Sequence, residues 1–183
     1  MFFYKYIDIE NYDLIQSEMK KFIFSKTSVI EDKLPWKFID TFQLSKEIPV
    51  LCDFFKTRGL ELDIAAAVYR RPYSQGGIHV DTSLFWRALL PVINCEGSKT
   101  KFFKFDPSKF KSGQGPDKDK NLSLIPGETL DFLGELELNK PIIFDPQIPH
   151  GVYCNPDLRE PRISLTLGFK QDPKSIFKLV DLS

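Results

Sequence analysis

Cysteine is scarce in this chain of 183 residues, and its placement excludes the usual structural uses of the residue. The three cysteines, Cys52, Cys95 and Cys154, are odd in number, far apart and flanked by apolar residues. A disulfide framework needs an even set, and a structural zinc site needs closely spaced pairs. We therefore expect three buried free thiols and a fold held together by its apolar core.

The chain also lacks an excess of charge of either sign. Its 25 Lys and Arg residues balance 25 Asp and Glu residues, so the formal net charge is zero. Without a basic field, a protein does not gather nucleic acid electrostatically. A nucleic acid is therefore not the expected partner.

Long hydrophobic runs are missing as well. The apolar start, MFFYKYIDIENYD, reaches acidic residues at Asp8 and Glu10. This stretch has neither the length of a membrane span nor the layout of a secretory signal peptide. We expect a cytoplasmic protein that does not enter a membrane.

Phenylalanine, in contrast, is abundant, with 17 copies in a chain whose hydrophobic fraction is 42%. Aromatic residues favour strands over helices. A chain of this length can bury a sizeable core without disulfides or structural metal. The composition predicts a single domain over residues 1–183 with much β structure.

Two helices are predicted within residues 1–60, which we expect to form a helical preface packed on a sheet. The first begins near Asp13, with Gln16 completing a capping box. The second has Pro49 in its first turn and stops at Gly59. Apolar residues recur at helical spacing in both: Ile15, Met19, Phe22 and Ile23 in the first, and Ile48, Leu51, Cys52 and Phe55 in the second.

A β region is predicted over residues 61–170, followed by a C-terminal tail over 171–183. The stretch 106–128 is rich in Lys, Gly, Ser, Asp and Pro, which predicts a long loop, either a lid or a disordered segment. Many short strands separated by turn residues are typical of a sandwich or barrel. The predicted strands are Phe2 to Ile9, Leu62 onward, Ile78 to Thr82, Phe85 to Asn94, Thr100 to Phe105, Thr129 to Leu133, Pro141 to Asp145, Gly151 to Cys154 and Arg162 to Phe169.

The chain has only two histidines, and both lie in strand-like stretches. His79 and Asp81 are two residues apart, so in a strand their side chains point to the same face. His150 follows a proline turn and opens the next strand. Two imidazoles and one carboxylate suit ferrous iron and leave positions open for a co-substrate and dioxygen. We expect these three side chains to bind a metal; the alternative for each histidine is a structural hydrogen bond.

A later strand carries one polar and one apolar face. Period two places Arg162, Ser164 and Thr166 on the first face. A guanidinium with a neighbouring hydroxyl matches a carboxylate, so an organic dicarboxylate fits this pair. A salt bridge is the alternative role for Arg162.

Three other residues near the first histidine have less specific interpretations. Arg87 is interpreted as an edge-strand arginine that reaches solvent, with an inward carboxylate anchor as the alternative. Tyr69 and Tyr73 are predicted to pack in the aromatic core rather than to contact a co-substrate.

The order His79-x-Asp81, His150, Arg162-x-Ser164 resembles the pattern of the Fe(II)- and 2-oxoglutarate-dependent dioxygenase superfamily. The resemblance implies that the first three residues bind Fe(II) and that Arg162 and Ser164 bind 2-oxoglutarate. It also implies a double-stranded β-helix, a cupin-like jelly roll, for the β region that follows the predicted N-terminal helices. The implied reaction consumes dioxygen, hydroxylates an unidentified organic substrate, and releases succinate and CO2.

The resemblance covers roughly Ile64 to Phe169 and is loosely closest to the prolyl and aspartyl hydroxylase-like branches. A peptide side chain or a small metabolite is the implied substrate. Two alternatives stay open: a non-catalytic jelly-roll module that binds a ligand, and a cupin-like metalloenzyme that does not use 2-oxoglutarate. The metal triad alone fits the second alternative equally well, and only Arg162 argues for 2-oxoglutarate.

Overall fold

Twelve strands form two facing antiparallel sheets in the computed structural model, which describes residues 3–26, 35–81, 85–112 and 121–178. The first sheet contains, in spatial order, β1 (Tyr4–Tyr6), β10 (Ile142–Phe144), β5 (Arg87–Ile93), β12 (Arg162–Phe169), β3 (Leu62–Arg70) and β2 (Trp36–Ile39). The second contains β7 (Phe110–Ser112), β8 (Asn121–Leu124), β4 (His79–Asp81), β11 (His150–Tyr153), β6 (Lys99–Phe103) and β9 (Phe132–Glu137). Two such sheets with N-terminal helices confirm the predicted mainly β, jelly-roll class.

Four α-helices and one short 3-10 helix accompany the sheets in the described residues. The 3-10 helix spans Pro107–Lys109, and the α-helices are α1 (Tyr12–Lys26), α2 (Thr41–Glu47), α3 (Pro49–Lys56) and α4 (Pro173–Ile176). Asp40 caps α2, since its carboxylate accepts a 2.7 Å hydrogen bond from the Gln43 backbone N–H. Gly59 follows α3 with φ +79°, a left-handed conformation that glycine adopts without strain. None of the helices that the structure describes is long and apolar enough to cross a membrane.

The helices cover the outer face of the first sheet. Met19 and Ile23 of α1, and Leu51 and Phe55 of α3, are completely buried there. They belong to one cluster with alternate residues of the sheet, among them Ala65, Ala67, Ala88, Leu90, Ile163, Leu165 and Leu167. The face of β12 that holds Ile163 is therefore used for the core, which leaves the opposite face of that strand for the interior between the sheets.

A smaller apolar cluster joins the two sheets on their inner faces. Leu89 and Ile142 come from the first sheet, and Phe102 and Leu136 from the second. Because this cluster fills only part of the space between the sheets, the remainder is free to form a cavity.

The stretch 106–128, predicted as a long loop, contains regular structure. The 3-10 helix, β7 and β8 all lie within it, and β8 pairs with β4 from Asn121 to Ser123. The loop prediction is therefore wrong for the described part; residues 113–120 lie outside the described residues. The error arose because short strands with few apolar residues are stabilised by their partner strands rather than by local propensity.

Other local predictions differ from the structure in smaller ways. The capping box is wrong, because Gln16 donates through Nε2 to the carbonyl of Pro91 at 3.2 Å instead of reaching back to the helix start. The strand predicted from Thr129 lies at Phe132–Glu137, and β2 and α2 were not predicted. The predicted strand residues Phe2 and Thr82, and residues 179–183 of the predicted tail, lie outside the described residues. All three cysteines are free; Cys95 and Cys154 are buried, whereas Cys52 is half-buried.

Candidate metal centre and anion site

Two neighbouring strands of the second sheet bring the two histidines together. His150, the first residue of β11, is the direct cross-strand partner of His79, the first residue of β4. Their ring centroids lie 4.4 Å apart. Asp81 lies on the same side of β4 as His79, while Val80 between them is buried on the other side. One ligand atom from each of His79, Asp81 and His150 lies within 4.8 Å of the others, so the three predicted metal ligands converge.

Backbone carbonyls orient both imidazole rings. The Nδ1 atom of His79 lies 2.9 Å from the carbonyl oxygen of Gly77, and Nδ1 of His150 lies 2.9 Å from that of Ile148. A carbonyl can only accept a hydrogen bond, so each Nδ1 carries the proton. In the neutral ring, Nε2 is then the nitrogen with a free lone pair, which is the form that binds metals.

Burial and charge favour the neutral form of His150. Its side chain is only 5% exposed, and burial, followed by the neighbouring His79, holds its pKa well below the usual range for histidine. Phe144 packs edge-on against the ring at a centroid distance of 5.4 Å. A neutral imidazole in an apolar wall is suited to donate a lone pair and to exclude water.

Asp81 lies between a histidine and an arginine. Its Oδ1 is 3.8 Å from Nε2 of His79, and its Oδ2 is 3.6 Å from Nη1 of Arg87. One carboxylate oxygen therefore faces the imidazoles, while the other faces a guanidinium. Arg87 lies on β5 of the opposite sheet, so this ion pair also joins the two sheets.

The converging side chains face a cavity of about 940 Å³ that both sheets line. His79, Asp81 and His150 lie in its wall from the second sheet. Arg162 and Ser164 lie in its wall from the first sheet. All five residues of the predicted metal and carboxylate sites thus line one cavity.

The polar face of β12 is deeply buried. Arg162 is 2% exposed and Ser164 is completely buried. Nη1 of Arg162 donates to the Ser164 hydroxyl at 3.5 Å, which is a long hydrogen bond. The Nε atom of Arg162 is buried and has no hydrogen-bond acceptor among the described residues. A buried arginine in a cavity wall whose guanidinium is only partly hydrogen-bonded is suited to bind an anion.

The structure corrects two of the less specific interpretations and confirms a third. Arg87 is not on an edge strand, because β5 lies between β10 and β12, and its half-buried side chain faces the cavity. Tyr73 is 61% exposed, so its predicted core packing is wrong. Tyr69 is buried in the main core, as predicted.

Arg70 is the cavity residue that sequence reasoning missed. It ends β3 and faces the cavity together with Ile64, Ala66 and Val68 of the same strand. Alternation with period two extends from Ile64 to Arg70 and could have placed the guanidinium on this face. Its nearness to Arg162 could not have been found in this way, because that depends on strand pairing.

No protein-family model and no curated protein matches the sequence. Solved structures match in fold. The epimerase SnoN, in complex with Fe3+, alpha ketoglutarate and nogalamycin RO, has a TM-score of 0.58 and 9% identity, covering 94% of this chain and 80% of that chain. The non-heme alpha ketoglutarate dependent carbocyclase SnoK from nogalamycin biosynthesis has a TM-score of 0.52 and 9% identity, covering 91% of this chain and 79% of that chain. At such identity the likeness is one of fold, and the chain shares the jelly-roll architecture of these two proteins.

Proposed function

We propose that this protein is an Fe(II)- and 2-oxoglutarate-dependent oxygenase that hydroxylates an organic substrate, either a peptide side chain or a small metabolite. The observation that carries the proposal is the convergence of His79, Asp81 and His150 within 4.8 Å on the wall of a cavity. The arrangement forms because β4 and β11, which are far apart in the sequence, pair in the second sheet. A structural hydrogen bond for each histidine would not require the three side chains to converge.

The chemistry of the donor set fits iron. Two imidazole nitrogens with free lone pairs and one carboxylate form the ligand set of non-haem Fe(II) oxygenases, and no thiol is among the three groups that converge. Iron bound by these residues would supply coordination positions for 2-oxoglutarate and dioxygen and the electrons for dioxygen activation.

The other cavity residues have roles that follow from their positions. Arg162 and Ser164 bind and orient the far carboxylate of 2-oxoglutarate through charge-assisted hydrogen bonds. Phe102 and Phe144 flank His150 and keep water away from it. Arg87 holds one oxygen of Asp81, which leaves the other oxygen directed at the histidines.

The proposed reaction converts a C–H bond, dioxygen and 2-oxoglutarate into a C–OH group, succinate and CO2. One oxygen atom enters the substrate and the other enters succinate, so the atoms balance. The fold shared with SnoN, whose structure holds Fe3+ and alpha ketoglutarate, supports this assignment. SnoN is an epimerase and SnoK a carbocyclase, so hydroxylation in particular rests on the resemblance of the motif.

An anaerobic absorbance titration tests the proposal. Adding Fe(II) and then 2-oxoglutarate to the protein should produce a visible charge-transfer band, and Asp81→Ala should abolish it. Asp63→Asn is the matched control, because Asp63 is an exposed carboxylate outside the cavity. A wild-type protein that binds neither component would contradict the proposal and favour the non-catalytic binding module. A protein that binds Fe(II) but gives no band with 2-oxoglutarate would favour the cupin-like metalloenzyme.

A further inference from the structure

The cavity contains a second guanidinium directly opposite the one assigned to 2-oxoglutarate. Arg70, the last residue of β3, is the cross-strand partner of Arg162, the first residue of β12. Directly opposed residues of an antiparallel pair have Cβ atoms about 5 Å apart and point to the same face of the sheet. Both arginines line the cavity. Two like charges therefore lie side by side on its wall.

Neither arginine has an acidic partner in the described part of the chain. Among the described residues, the Nε atoms of both are buried without an acceptor, and Nη1 of Arg162 donates to a serine hydroxyl. Two carboxylates line the cavity: Asp81 forms its ion pair with Arg87, and Glu128 is exposed. Burial, and then the charge of Arg162, lower the pKa of Arg70. Opposed like charges in a low-dielectric space are unfavourable unless an anion joins them.

The backbone beside Arg70 limits where its guanidinium can move. A Cβ atom built on Gly76 would lie 3.8 Å from Cζ of Arg70, so the segment preceding β4 covers that side of the group. Gly76 is itself fixed to β11, since its N–H donates to the carbonyl of Val152 at 2.6 Å. The guanidinium is thus confined on that side, which lowers the entropic cost of ordering it around a ligand.

We propose that Arg70 and Arg162 form one two-guanidinium site for a single carboxylate, and that Arg70 makes the cavity select a carboxylate over an uncharged end group on the same ligand. The identity of that carboxylate as the far end of 2-oxoglutarate rests on the proposed function. A carboxylate offers about four lone-pair sites, enough for both guanidiniums and the Ser164 hydroxyl. Arg70 is a binding and specificity residue, and it takes no part in the chemical step.

A titration of the metal-free, full-length protein by NMR tests this site with defined probes. Glutarate presents carboxylates, whereas its diamide, glutaramide, presents uncharged amides on the same chain. The wild-type protein should bind glutarate more tightly than glutaramide. Arg70→Met should weaken glutarate binding by about tenfold to a hundredfold, the range for a lost hydrogen bond to a charged group, and should leave glutaramide binding unchanged.

Two further variants make the result interpretable. Arg71→Met is the matched control, because Arg71 is the adjacent arginine and is exposed, and it should bind glutarate like wild type. Arg70→Lys keeps the charge but loses the planar fork, so it should fall between wild type and Arg70→Met. It also serves as the test variant if circular dichroism shows that Arg70→Met does not fold.

Two outcomes would overturn the proposal. The first is wild-type glutarate affinity in Arg70→Met, or in Arg70→Lys should the methionine variant not fold. The second is no preference of the wild-type protein for glutarate over glutaramide. Because the assay contains no metal, its result is independent of the iron titration. If the protein selects glutarate but gives no charge-transfer band, the result supports the anion site and contradicts the proposed oxygenase function.

Discussion

The two walls of the cavity differ in the chemistry they contribute. The second sheet supplies the imidazoles of His79 and His150 and the carboxylate of Asp81, all able to donate lone pairs to a cation. The first sheet supplies guanidiniums and hydroxyls, which bind anions, with Arg162 and Ser164 at its centre. The metal ligands come from short strands, whereas the anion site lies on long strands with helices packed behind them.

The residues that can bind a cation and those that can bind an anion therefore lie on different sheets. The strongest described contact between the two sets of groups is the ion pair of Arg87 with Asp81, at 3.6 Å. Variants on one wall should therefore leave the function of the other wall intact, and the following experiments test that separation.

The largest effect is expected for His150→Ala. Loss of one of three ligands should weaken Fe(II) or Mn(II) binding by at least about a hundredfold. Removing a residue that only hydrogen-bonds to a metal ligand already costs up to about a hundredfold in metal affinity. Glutarate binding to the metal-free variant should stay within about twofold, because its carboxylate site lies on the other wall. Calorimetric titration measures both. Equal losses of metal and glutarate affinity would show that the two walls act as one unit.

The converse experiment replaces Arg162 by methionine, which keeps most of the side-chain volume. Truncating one partner of a buried charged pair costs about 2 kcal/mol or more, so affinity for glutarate should fall at least about thirtyfold. Metal affinity should be unchanged or slightly higher, since a nearby positive charge is removed. The same two titrations check this, and a loss of metal affinity would count against the separation.

A smaller effect, on the free energy of unfolding, is expected where the segment before β4 contacts β11. A Cβ atom on Gly76 would lie 3.1 Å from the carbonyl oxygen of Val152, whereas one on Gly77 would meet nothing within 4 Å. Gly76→Ala should lower the free energy of unfolding by about 1–3 kcal/mol, because backbone must shift to relieve the contact. Gly77→Ala is the matched control and should change it little. Urea denaturation measures both, and equal stabilities would refute the close approach.

The smallest effect on the cavity is expected from the helical layer behind the first sheet. Burial, and then the charge of Asp53, raise the pKa of Cys52 to about 11. At pH 8 its thiolate fraction should be low, so it should react with a disulfide reagent about a hundredfold more slowly than a free thiol. Comparison with Cys52→Ala identifies its share of the reaction. Fast labelling that also changes glutarate affinity would show that this layer is coupled to the cavity.

The faces of individual strands could be predicted from the sequence, because alternation of side chains with period two is a local property. It placed His79 with Asp81, and Arg162 with Ser164, on shared faces, as the structure has them. The triad could be assembled from residue type and order alone, since the chain offers no other histidine.

Neighbour relations between strands could not be predicted, because they depend on the order of strands in each sheet. Arg87 was placed at an edge, yet β5 is an inner strand. Arg70 was overlooked, since only the pairing of β3 with β12 brings it opposite Arg162. The strands within 106–128 were missed for the same reason, as their partners stabilise them and local composition does not.

Anomalous X-ray scattering from crystals grown anaerobically with Fe(II) would locate the metal directly. We expect one strong peak at the iron edge between His79, Asp81 and His150, with both imidazoles bound through Nε2. The peak should vanish in Asp81→Ala crystals and persist in Arg162→Met crystals. No peak at this position, or an iron ion bound by other residues, would contradict the assignment of the metal centre.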